Sequence, residues 1–285
     1  MIIDYLKKFC KAKRSDIDEK VVENAIIHNV KNFILTFGKD FSFICTNSAG
    51  FSIVWGFKMD RPVTTLFMLS SVDGKISTGA SDERDVDKDF PKIDGIREGL
   101  HQYYEIEQTT DLWSFNTGRV QAKMGVNYKR FPEEKLPVSF VILDNHHLTE
   151  QGVRYLCVRL DQLVVITTNV EHPVFHVTEA NLHIIYQDEL DLEEALRRLK
   201  QDFGCERLTI QSGGTVNSLF LREQLLDYID IVVAPVLIGG KDTATLVDGI
   251  SLVSEEDLKK LGVLQLEECK VLEDSWVRLR YKVVR

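Results

Sequence analysis

No Cys-x-x-Cys pair occurs in this sequence, whose five cysteines (Cys10, Cys45, Cys157, Cys205 and Cys269) are odd in number and widely scattered. That excludes a zinc knuckle and a thioredoxin-type redox site, and reduced thiols in a cytoplasmic protein are the expectation. Long hydrophobic runs are missing too. The longest, Ile231 to Gly240, is about half the ~20 residues of a spanning helix, and Pro235 interrupts it. No secretory signal is expected, since Asp4, Lys7 and Lys8 break the early apolar stretch. Basic excess is also lacking. With 35 Lys/Arg against 44 Asp/Glu the formal charge is −9, which speaks against a general nucleic-acid binder, because phosphate contacts need clustered Lys and Arg. Three catalytic fingerprints are absent. There is no Gly-x-Ser-x-Gly elbow and no Gly-x-Gly-x-x-Gly, and Gly240-Lys241 fails as a Walker loop because Pro235 and Asp242 occupy its first and last defining positions. The 285 residues, 44% apolar and 28% charged, are those of an ordinary globular chain with one large domain or two small ones.

Charge separates an N-terminal segment from the rest. Residues 1–58 carry nine Lys/Arg and six Asp/Glu, a net of +3, which leaves −9 − 3 = −12 for residues 59–285. Within the first segment a helix is expected over Asp16 to Asn32, on the stripe Val21, Val22, Ala25, Ile26 and Val30. A small hairpin is expected from Phe33–Phe37 and Phe41–Cys45. From Met59 onward, short β-like runs alternate with helical stretches. Strands are expected at Val63–Leu69, Asp111–Phe115, Val138–Leu143, Leu163–Thr167, Leu208–Gln211 and Ile231–Ile238. Ile96, Leu100 and Tyr103 lie on one helical face. Helices follow Thr149 and Asp191, the second ending at Gly204, and another covers Val216–Leu226. Val263–Val271 and Trp276–Val284 flank Glu273-Asp274 as a hairpin. Repeated βα units with a terminal hairpin imply an α/β fold, with a mostly parallel sheet flanked by helices and a C-terminal antiparallel hairpin.

Ligands of such sheets bind at the carboxyl ends of the strands, and three glycine-containing turns follow expected strands there. The first, Ser70-Ser71-Val72-Asp73-Gly74-Lys75-Ile76, combines a carboxylate, hydroxyls and a lysine. It is either a polar Asp-Gly turn or part of a site. The second, Asn116-Thr117-Gly118-Arg119-Val120, places a guanidinium at a helix start, either as a solvated arginine or as an anion holder. In the third, Ser212-Gly213-Gly214-Thr215-Val216-Asn217, paired glycines let backbone approach a pyrophosphate, a signal that is common when alone. His172 and His176 are four apart, but Pro173 separates them and no carboxylate pattern completes a metal site; His146-His147 reads as a solvated loop pair.

Taken in order, Ser71-Val72-Asp73-Gly74-Lys75, Gly118, Gly213-Gly214-Thr215 and Leu226-Asp227 leading to Ala234-Pro235-Val236-Leu237-Ile238-Gly239-Gly240 resemble the reductase domain of riboflavin biosynthesis, of dihydrofolate-reductase-like fold. The resemblance spans nearly all of residues 59–285 and makes residues 1–58 an α+β extension. It implies a homodimeric enzyme that moves hydride from NADPH to 5-amino-6-(5-phosphoribosylamino)uracil. The deaminase half of bifunctional relatives is missing, since no His-x-Glu precedes a Pro-Cys-x-x-Cys. By the resemblance, Gly213, Gly214, Thr215 and Val216 hold the pyrophosphate, and Gly118, Arg119 and Val120 face the adenosine-side phosphates. Ser71, Asp73 and Gly74 close over nicotinamide and substrate. Asp73 then either orients substrate and helps deliver a proton or stabilises its own turn. Lys75, Asn116, Phe67 and Gln211 fall in the expected substrate pocket, where Phe67 and Gln211 replace the family's usual lysine and glutamate. Those two changes keep open a paralogue acting on another pterin, carbonyl or imine, and a catalytically silent nucleotide-binding dimer.

Overall fold

The computed structural model describes residues 60–284. The helix and hairpin expected before Met59 lie outside the described residues. Nine strands form one sheet: β1 (Val63–Ser71), β2 (Trp113–Thr117), β3 (Ser139–Leu143), β4 (Leu163–Thr167), β5 (Leu182–Tyr186), β6 (Arg207–Ile210), β7 (Tyr228–Ala234), β8 (Val263–Val271) and β9 (Val277–Val284), in the order β5-β4-β3-β2-β6-β1-β7-β9-β8. All pairings from β5 to β7 are parallel, and β9 and β8 join antiparallel. No described helix is long and apolar enough to cross a membrane.

Hydrophobic patterning marks the strands covered on both faces. β4 reads Leu-Val-Val-Ile-Thr and every residue is buried, as a parallel strand covered on both faces requires. Six α-helices connect the strands: α1 (Val86–Asp89), α2 (His101–Glu107), α3 (Gly118–Lys123), α4 (Glu150–Arg159), α5 (Leu192–Phe203) and α6 (Gly214–Arg222). The Thr149 side chain caps α4 by accepting from the Gly152 N–H, and Asp191 caps α5 by accepting from the Glu194 N–H. Gly204 ends α5 at φ 67°, a left-handed position that glycine enters without Cβ strain. One core cluster packs Val153, Leu156 and Leu160 of the α4 region on Ile142, Leu163 and Val165. A second gathers Phe67, Phe90, Leu100, Tyr103, Val232 and Trp276.

Four elements depart from the sequence expectation. β5 is an additional strand: it is short, holds the polar His183, and takes its register from β4 at the sheet edge. β7 stops at Ala234 instead of Ile238, because Pro235 has no N–H for the ladder and the chain bends so that the Val236 N–H meets the Ala234 carbonyl at 2.8 Å. α6 begins at Gly214 rather than Val216 and ends at Arg222, before Gln224 at φ 56°. Ile96 and Leu100 are buried as expected, but on turns that precede the helix.

The centre of the sheet and its far edge differ in character. β6 is inserted between β1 and β2, so strand order reverses at the centre and the ends of β1, β6 and β2 lie side by side. At the edge, β8 is exposed along its whole length, with Val263, Leu264, Leu266 and Val271 open to solvent.

Candidate active site

A cleft of about 690 Å³ opens at the carboxyl ends of these central strands. Of the residues singled out from sequence, Asn116, Arg119, Val120, Gln211, Gly213, Gly214 and Thr215 line it. The second and third turns therefore meet in space, as the resemblance implies. Their approach follows from the register, in which Phe115 pairs Ile210 and the Gln211 N–H donates to the Phe115 carbonyl at 2.9 Å.

The two glycines of the third turn have different reasons to be glycine. Gly213 is extended (φ −72°), and a Cβ built there meets nothing within 4 Å. It faces open cleft. A Cβ on Gly214 would stand 2.3 Å from the Thr245 carbonyl oxygen and 2.4 Å from the Asp248 carboxylate. That glycine serves the packing of the 245–248 turn. Neither glycine needs a positive φ. The first N–H groups of α6 have no partner within the helix, so an anion at Gly213 finds free donors and the positive end of the helix dipole. A pyrophosphate fits this cradle.

The first turn is placed differently from expectation. Ser71, Asp73, Gly74 and Lys75 do not line the cleft; Ile76 and Ser77 do. Asp73 accepts from the Ser71 hydroxyl (2.6 Å) and from the Ile238 (3.1 Å) and Gly239 (2.6 Å) N–H groups. The Ser71 hydrogen bond, then the two backbone donors, hold its carboxyl down at about 2. An acid so strong keeps no proton to give near neutral pH, and these bonds fit the turn-stabilising reading of Asp73. Lys75 directs its ammonium to the Gly240 (2.8 Å) and Thr243 (2.9 Å) carbonyls, tying down the loop after β7. Gly74, at φ 75°, makes the tight corner between them.

Phe67 is another correction. It is fully buried in the core and stacked on Tyr103 with ring centroids 5.3 Å apart, while Met68 and Leu69 line the cleft. Gly118 and Val216 also lie off the cleft wall. A Cβ on Gly118 would fall 2.1 Å from the Asp144 carboxyl carbon, so this glycine makes room for Asp144. The Asp144 side chain is fully buried after β3 and gathers the His146, His147 and Leu148 N–H groups together with His172 Nε2 (2.8 Å) and His147 Nδ1 (2.9 Å). Burial alone would raise its pKa. The bonds from His172, Leu148 and His147 outweigh that and hold it well below the carboxylate range. The Val174 N–H donates to His172 Nδ1, so Nε2 carries the proton shared with Asp144.

Arg119 is exposed and paired with Asp82 at 2.9 Å across the cleft mouth. A polar chain runs deeper. Asn116 Nδ2 donates to Ser114 Oγ (2.9 Å), Ser114 Oγ donates to Gln211 Oε1 (3.0 Å), and Gln211 Nε2 donates to Glu107 Oε1. Sequence reading missed Ser114 and Glu107. Glu107 follows Tyr103 by four residues, so it extends the face of Ile96, Leu100 and Tyr103 with a carboxylate. An acid continuing a buried stripe was the available signal.

Residues 62–275 match the family model described as the RibD C-terminal domain. Two curated relatives are each named 2,5-diamino-6-ribosylamino-4(3H)-pyrimidinone 5′-phosphate reductase. The one from Methanothermobacter thermautotrophicus is 27% identical over 212 residues, covering 70% of this chain and 90% of the relative. The one from Archaeoglobus fulgidus is 26% identical, covering 70% and 93%. Among solved structures, RibD of Acinetobacter baumannii superposes with a TM-score of 0.56 at 16% identity, over 80% of this chain and 60% of that one, so this chain spans well under two thirds of the solved RibD. A pyrimidine reductase-like protein from Corynebacterium diphtheriae gives 0.54 at 15% identity, over 79% and 93%. These likenesses show the α/β fold.

Proposed function

The chain belongs to the RibD C-terminal domain family, and we propose that it reduces a ribosylaminopyrimidine 5′-phosphate with NADPH. The reductase family implies a nicotinamide cofactor, and NADPH is our finer reading. The observation that carries the proposal is the meeting of the Gly213 cradle with Asn116, Gln211 and Glu107, linked through the buried Ser114, in one cleft at the strand-order reversal. The cradle suits a pyrophosphate, and the polar chain suits the hydroxyls and amino groups of a ribosylated pyrimidine. When bound, the nicotinamide supplies the hydride. The protein's own task is placement and exclusion of water. Met68 and Leu69 give the cleft an apolar wall, and Gln211, held by Ser114, presents a fixed amide.

The test is loss of NADPH absorbance in the full chain, run with 2,5-diamino-6-ribosylamino-4(3H)-pyrimidinone 5′-phosphate and, separately, with its deaminated counterpart 5-amino-6-(5-phosphoribosylamino)uracil. Turnover of either supports the reading, and the faster one identifies the substrate. No turnover of either, with NADPH bound, rejects it.

Cofactor preference rests on Arg119, whose guanidinium suits a 2′-phosphate. Its partner Asp82 is 61% exposed, and an exposed pair is worth only ~0–1 kcal/mol, so a phosphate can displace it. Arg119→Ala should shrink the NADPH-over-NADH preference severalfold, and Asp82→Ala should enlarge it. Calorimetric titration with both dinucleotides checks this, and an unchanged ratio in Arg119→Ala removes the role.

Our reading of the chain's organisation is that residues 59–285 are the reductase domain, with residues 1–58 as an appended segment. The exposed apolar edge at β8 supports a homodimer, for which the sedimentation mass of the full chain is the measurement.

A further inference from the structure

We propose that Glu107 is the proton donor of this site, a carboxylic acid brought to the cleft by helix α2 beside the Gln211 amide. The inference rests on the functional reading above and deepens it by assigning the acid.

Geometry separates Glu107 from the other carboxylates around the cleft, of which Asp242 is exposed to water on the loop after β7. Asp82 is committed to Arg119. Asp85 caps α1 and bridges to Lys123 at 2.7 Å. Asp248 binds the Thr245 N–H and hydroxyl within its own turn. Asp87 accepts from the Tyr104 hydroxyl at the exposed rim. Glu107 is half-buried and meets no lysine or arginine among the described residues. Its Oε1 takes the hydrogen bond from Gln211 Nε2 and lies 3.5 Å from the Tyr103 hydroxyl. Its Oε2 takes no hydrogen bond from any described residue. A carboxylic acid whose one oxygen is already an acceptor carries its proton on the other, so the O–H is left for a ligand in the cleft.

The charged and titratable groups facing it are few. Tyr103 and Tyr104 come from its own helix, Asp87 from α1, and the neutral Gln211 from the end of β6. Burial raises the Glu107 pKa and the Asp87 charge adds to this, against a smaller opposing effect from the Gln211 and Tyr103 hydrogen bonds. The position at the carboxyl end of α2 also disfavours negative charge. An acid raised toward the working pH is the kind that both holds and releases a proton.

Atoms and electrons balance across the reduction. In the ribosylamine, the lone pair of the exocyclic nitrogen forms a C=N bond to ribosyl C1 as the bond from C1 to the ring oxygen breaks. That oxygen takes the Glu107 proton and becomes a hydroxyl. Hydride from the reduced nicotinamide then adds to C1, and the C=N electron pair returns to nitrogen as a secondary amine. Glu107 is left as carboxylate and regains a proton from solvent.

The test uses the full chain with NADPH and whichever ribosylaminopyrimidine phosphate it reduces. Glu107→Gln keeps the shape and removes the proton. We expect kcat to fall at least tenfold, NADPH affinity by calorimetry and Tm to stay as they were, and the loss of kcat with rising pH expected of the unsubstituted chain to be absent. Gln211→Leu gives an independent readout. Without its hydrogen bond the Glu107 carboxyl holds its proton more tightly, so the same pH limb moves upward. A Glu107→Gln protein with unaltered kcat and pH profile overturns the assignment alone, as does a limb that does not move in Gln211→Leu. An unsubstituted chain that binds NADPH but reduces neither substrate overturns the functional reading and the assignment with it.

Discussion

Replacing Asp144 by alanine should cost about 3 kcal/mol or more of folding stability, as expected when a buried carboxylate is removed and several buried donors are left without an acceptor. The carboxylate is fully buried and organises the 144–148 turn through three backbone N–H groups and two histidines. Alanine leaves those donors without their acceptor. The loss should depend on pH in a fixed direction. Because the folded-state pKa is depressed, the stabilisation is fully present above the ordinary value near 4 and is lost as pH falls through and below it. Urea unfolding at pH 7 and at progressively lower pH provides the comparison. The gap between the two proteins should narrow as the pH drops, and a constant gap would mean that Asp144 acts through packing rather than as an anion.

Gly213→Val should weaken NADPH binding by at least about tenfold, or ~1.4 kcal/mol, while leaving the melting temperature nearly unchanged. The backbone there is extended and a Cβ meets no protein atom within 4 Å, so valine is tolerated by the fold and intrudes only on the ligand. The neighbouring position is the control. Gly214→Val drives a side chain into the Thr245 carbonyl and Asp248, and should lower the melting temperature by itself. Thermal unfolding and dinucleotide titration on both variants distinguish these effects. A folded Gly213→Val chain that binds NADPH as before would falsify the cradle.

Much of this architecture was legible because it is local. The caps at Thr149 and Asp191, the Gly204 terminus of α5 and the fully apolar β4 each follow from a few neighbouring residues. The terminal hairpin was legible for the same reason. What the sequence concealed depends on partners distant along the chain. β5 has its register from β4, and Lys75 reads as a substrate contact until the loop after β7 supplies two carbonyls for its ammonium. Phe67 reads as an altered substrate contact because its residue type departs from the family pattern. Its stack against Tyr103, which decides its role, is set by helix α2. Glycine was the most misleading signal. Gly118 and Gly214 are glycines because Asp144 and the 245–248 turn press on them, whereas Gly213 faces open space.

The insertion of β6 between β1 and β2 has a consequence for how the molecule assembles. β1 leaves the ribosome early, yet its two neighbours are β6, where Val63 pairs Arg207, and β7, where Thr65 pairs Tyr228. Both pairings close loops of about half the chain. Each closure is entropically costly before its contacts form, and parallel pairing of such range is slow. The sheet can grow first on the β2-β3-β4-β5 side, where successive strands are neighbours in sequence and in space. Gly213 lies just past the end of β6, so its position depends on the long-range pairings of β6 with β2 and β1. A dinucleotide bound at Gly213, as proposed above, would stabilise the folded sheet and with it these distant contacts.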